Sequence, residues 1–97
     1  MPRPGCSNVQ VKVLLRADDV FLALLRFAPD GTIDEHAADH EIDVICLEGR
    51  GRTSVGETAL DLRAGERVRW PAGGQHRLWT EDSMMVTLMV ERPGSGT

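Results

Sequence analysis

The sequence predicts an all-β fold, a sandwich or barrel formed by one domain. Three observations carry that prediction. Short apolar segments recur roughly every ten residues, with Gly or Pro in nearly every gap. No segment shows a convincing apolar period of 3.6 residues, although "VFLALLRFA" is rich in helix formers as well. Two segments, 20–27 and 84–90, are apolar on both faces, so each needs cover on both sides.

Taken in order, "VQVKVLL" (9–15) begins with the alternation of a half-buried strand. "VFLALLRF" (20–27) follows, and "APDGT" then supplies Pro-Asp-Gly turn chemistry. "IDVICLE" (42–48) is rich in β-branched residues and is expected to end at Gly49. "RTSV" and "TALDL" flank Gly56-Glu57, a Gly-X signal for a two-residue hairpin. "RVRW" (67–70), "HRLWT" (76–80) and "MMVTLMVE" (84–91) complete a set of eight or nine expected strands. Residues 1–8 and 93–97 read as flexible tails around a domain at 9–92.

With 97 residues, 41% hydrophobic and 27% charged, the composition is that of an ordinary globular domain. The net charge of −4, with cationic residues scattered singly, argues against nucleic acid as a partner. No segment approaches the roughly 20 apolar residues of a membrane helix, and "MPRPGCSN" lacks a signal-peptide core. A cytoplasmic location is therefore expected, with Cys6 and Cys46 as free thiols. A second copy is a natural source of cover for the two-faced strands, so a homodimer is expected.

The stretch "GERVRWPAGGQH" places Gly65, Pro71, Gly73 and His76 at a fixed spacing. Pro71 cannot donate to a ladder and ends the preceding strand. Gly73 and Gly74 can reverse the chain at little steric cost. His76, Leu78 and Thr80 then share one strand face, and Trp70 shares parity with Val68. This spacing resembles, position for position, the second motif of the cupin superfamily, with Thr80 in place of its closing Asn. "GTIDEHAADHEIDVICLEG" (31–49) resembles the first cupin motif, with Gly31, Gly49 and His36 in their slots. Ala38 stands in the second His slot and Ile42 in the Glu slot, and Gly31 is one residue closer to His36 than the pattern has it. The resemblance spans roughly residues 20–90 and implies a double-stranded β-helix, the jelly-roll barrel.

The resemblance also implies where chemistry would sit. Metal-binding cupins use two His and a Glu of the first motif and one His of the second. All three histidines here fall within the two motifs. His36 and His76 carry over directly; His40 and Glu41 are the candidates to complete a metal set. On an extended strand His36 and His40 would stand about 13 Å apart, so they converge only across a turn. A nitrogen-rich site would favour Zn, Ni, Fe or Cu over Mg or Ca. Ala38, Ile42, Val44, Trp70, Leu78 and Thr80 are expected to line the interior, with Cys46 inward as a core thiol. Met84, Met85 and Met89 are expected to pack, and Trp79 to face away from His76.

Two functions stand side by side at this stage. One is a barrel that binds a small molecule in its interior, with or without a divalent metal. The other is a metal-dependent cupin enzyme of the dioxygenase, isomerase or decarboxylase type. The sequence has no Ser-His-Asp spacing, phosphate loop or paired-Cys zinc motif to suggest a different chemistry.

Overall fold

The computed structural model describes residues 6–37 and 40–92, and of residues 6 and 34–37 the backbone alone. Residues 1–5 of the tail expected at 1–8, the tail expected at 93–97, and Ala38 in its motif slot lie outside these residues. The described residues form seven strands: β1 (Cys6–Arg16), β2 (Phe21–Ala37), β3 (Ile42–Val55), β4 (Thr58–Arg63), β5 (Arg67–Trp70), β6 (Gln75–Trp79) and β7 (Met85–Glu91). No helix among them is long and apolar enough to cross a membrane.

All pairings are antiparallel, and β2 and β3 each serve two sheets. The first part of β2 pairs with β1 and β7, and its second part with β6. The first part of β3 pairs with β5 and β7, and its second part with β4 and β6. One layer is therefore β1-β2-β7-β3-β5 and the other β2-β6-β3-β4. The shared strands close the layers into the jelly-roll barrel.

Strand sharing explains two departures from the sequence expectation. "APDGT" does not end its strand: β2 runs on through Asp30, which takes φ 59, and crosses into the second sheet. Gly49 likewise bends a strand instead of ending it, so the segments expected at 42–48 and 52–55 are one element. Gly49 has φ 72, and a Cβ there would collide with the Met84 carbonyl. Only glycine combines that backbone with that close approach. The expected hairpin does form, with Val55 opposite Thr58 and Gly56 at φ 59. The first strand begins at Cys6, ahead of the expected residue 9.

The interior follows strand parity. Ala23, Leu25 and Phe27 of β2, Ile42, Val44 and Cys46 of β3, and Met85 and Met89 of β7 are buried in one cluster with Trp70 and Leu78. Each fully buried large side chain contributes about 1.5–3 kcal/mol relative to exposure. Met84 departs from its expected packing role and is 40% exposed. Asp43 faces away from Ile42 yet is also buried, paired with Arg69 and Arg92.

Candidate functional site

One end of the barrel is marked by a row across the first layer: Trp70 opposite Ile42, Ile42 opposite Glu91, and Glu91 opposite Phe21. Pro71 ends β5, the turn passes Gly73 at φ 82, and β6 re-enters beside that row. Gly65, at φ 90, turns the chain just before β5. His76 and Leu78 on one face of β6, and Thr80 just past its end, are all buried.

His76 and Trp70 stack in parallel, with ring centroids 5.0 Å apart and planes 4° apart. The Nε2–H of His76 donates to the Pro71 carbonyl at 3.0 Å, the strand-ending proline of its own turn. In the neutral ring this places the lone pair on Nδ1. The Trp70 indole N–H donates to Thr53 Oγ1 at 3.0 Å, and the Thr53 hydroxyl donates to the Arg77 carbonyl at 2.9 Å. Both rings are thus fixed by polar contacts at their edges while their faces pack against each other. Thr80 closes the face lower down, its hydroxyl donating to the Ala28 carbonyl at 2.6 Å and accepting from the Gly31 N–H at 2.9 Å.

The structure gives His40 and Glu41 ion-pair partners, and of His36 it describes the backbone. The backbone sets His36 directly opposite His76. His40 Nε2 lies 2.7 Å from Glu91 Oε1, and both side chains are half-buried. Glu41 pairs with Arg69 at 3.4 Å, and its carbonyl accepts from the Arg92 N–H at 3.3 Å. Ile42 and Val44 are buried apolar neighbours. Among the described residues no three of His, Cys, Asp and Glu converge as a metal would require.

An ion group lies on the outer side of this end. Asp43 accepts from Arg69 Nε at 3.1 Å and pairs with Arg92 at 2.7 Å. Burial works to raise the Asp43 carboxyl, but the hydrogen bonds and charges of Arg69 and Arg92 outweigh it and hold the group below its ordinary value. Asp43 in turn raises Arg69. Burial pushes the Cys46 thiol up, as befits a core group rather than a nucleophile.

Sequence reasoning missed Glu91 and Thr53. Glu91 continues the inward parity of Met85, Thr87 and Met89, so the alternation of β7 could have marked it. Thr53 gave no signal, because its role depends on an indole 17 residues away in the chain.

A family model described as Cupin domain matches residues 23–91. No curated protein matches the chain. Among solved structures, a cupin-2 domain protein from Rhodospirillum rubrum superposes with a TM-score of 0.85 at 20% identity, over 96% of this chain and 65% of that one. The polyketide cyclase RemF from Streptomyces resistomycificus gives 0.83 at 22% identity, over 92% and 70% of the two chains. KdgF from a Halomonas species gives 0.83 at 14% identity, over 89% and 81%. At these identities the likeness carries the fold.

Proposed function

The chain belongs to the cupin domain family, and from that premise we propose that it binds a small organic molecule in the barrel, beside His76 and Trp70. The observation that carries this reading is the buried His76–Trp70 stack. An imidazole anchored through Nε2 to Pro71 and stacked on an indole is a positioned polar group inside the barrel, and small-molecule sites orient their ligands with a few such polar groups. The reading holds with or without a divalent metal beside the ligand.

A metal-dependent enzyme is the second reading, favoured by the backbone register that sets His36 opposite His76. Its ligands would be His36 and His76, with His40 or Glu41. Use of His40 or Glu41 would require release from Glu91 or Arg69. The ion would be Zn, Ni, Fe or Cu. On either reading the chain acts in the cytoplasm, in keeping with a free, buried Cys46.

A thermal-shift screen of small metabolites, run with and without chelator, tests both. A ligand at a hundred times its Kd adds about 2.7 kcal/mol to stability. The binding reading expects a shift that survives chelation and disappears in His76→Ala. No shift with any compound, together with stoichiometric metal lost in both His36→Ala and His76→Ala, would replace it with the second.

A further inference from the structure

A groove of about 430 Å³ lies at the other end of the barrel from the His76–Trp70 stack. Along β2, Phe21 marks the Trp70 row and Phe27 borders the groove, six residues or roughly 20 Å away. The groove comes from a mismatch between β1 and β2. Ser7 pairs with Thr32 and Val9 with Phe27, so residues 28–31 stand opposite Asn8 alone. Asn8 and Asp30 both adopt left-handed backbone, with φ 56 and 59, which Asn and Asp tolerate. The Asn8 side-chain amide donates to the Asp30 carbonyl at 3.3 Å, holding the hollow's lip.

Its lining divides by chemistry. Val9, Ala28 and the exposed Met84 supply an apolar wall, and a methionine can adapt its shape to a bound chain. Asn8 and Gln10 are neutral, so among the described residues Arg26 is the only charged one in the lining. The residues directly opposite Arg26, Gln10 and Val86, carry no charge. Among the described residues Arg26 makes no ion pair. A lone guanidinium beside an apolar wall in a hollow of this size is complementary to a small amphipathic anion.

We propose that this groove binds a small organic carboxylate with an apolar body, its carboxylate on Arg26 and its hydrocarbon against Val9, Ala28 and Met84. This site is separate from the barrel interior and does not rest on the reading given for it.

The test uses octanoate and the methyl resonances of methionine-labelled protein. Met84 reports on the groove, and Met85 and Met89 on the core. The expected result is a saturable shift of the Met84 methyl with octanoate, at least tenfold weaker in Arg26→Gln. Octanol should bind the wild type with a similar loss, and Val9→Trp, checked for fold by circular dichroism, should block the groove. An unmoved Met84 signal at millimolar octanoate would overturn the proposal. So would equal affinity in Arg26→Gln, or shifts confined to Met85 and Met89.

Discussion

One hydrogen bond to Pro71 decides which nitrogen of His76 holds the lone pair, and one to Thr53 fixes the neighbouring indole. Other buried polar residues are less well served. Thr87 Oγ1 is buried between Leu25 and Cys46 in the ladder and has no hydrogen-bond partner among the described residues. A buried unsatisfied hydroxyl costs about 1–3 kcal/mol. Thr87→Val, nearly isosteric, should therefore raise stability by about 1 kcal/mol in denaturant melts. Asp43 is the opposite case, since its folded pKa is lowered by two arginines. A lowered carboxylate contributes stability that is complete above its unfolded pKa, near 3.9, and is lost as pH falls through the lower folded value. Stability should thus fall below about pH 4, and Asp43→Asn should flatten that fall while lowering stability at neutral pH.

At the scale of elements, β2 and β3 carry the fold because each belongs to both layers. Their crossing points are chemically unlike. Asp30 tolerates left-handed backbone in an exposed bulge, whereas Gly49 combines it with contact against the Met84 carbonyl. Gly49→Ala should cost about 3 kcal/mol or prevent folding, as strain and collision add. Gly56→Ala is the control: its φ is 59 but nothing lies near the added methyl, so the loss should be about 1–2 kcal/mol. Comparing the two denaturation midpoints separates strain from collision. Equal losses would show that the Met84 contact is unimportant to the crossing. The strand segments themselves were visible in the sequence from alternation and turn residues. Their continuity was not, because Pro-Asp-Gly and Leu-Glu-Gly set local backbone angles without revealing whether a new neighbour waits beyond the bend.

For the whole molecule, β1, β4 and β5 are the edge strands among the described residues, and β1 is the one whose apolar side chains are most exposed. It pairs with β2 alone, and Val11, Val13, Leu14 and Leu15 remain 40–49% exposed. Edge strands with exposed apolar side chains invite another chain. The homodimer expected from the sequence is proposed here to form along that edge. Light scattering at micromolar concentration should give twice the chain mass, and Val13→Lys should give the monomer. A monomeric wild type would remove the dimer.

By itself the sequence determined the strand-rich pattern, the glycine and proline positions that shape the barrel, and the motif spacing that marks the family. These are local properties, fixed by side-chain alternation and by which residues tolerate left-handed backbone. The tertiary structure decided that β2 and β3 each run through two sheets, that His40 meets Glu91 across 51 residues of chain, and that Asp43 is buried beneath Arg69 and Arg92. Such partnerships depend on which strands lie side by side. That choice is made by barrel closure, because a strand's ladder bonds and side-chain contacts come from neighbours far away in the sequence.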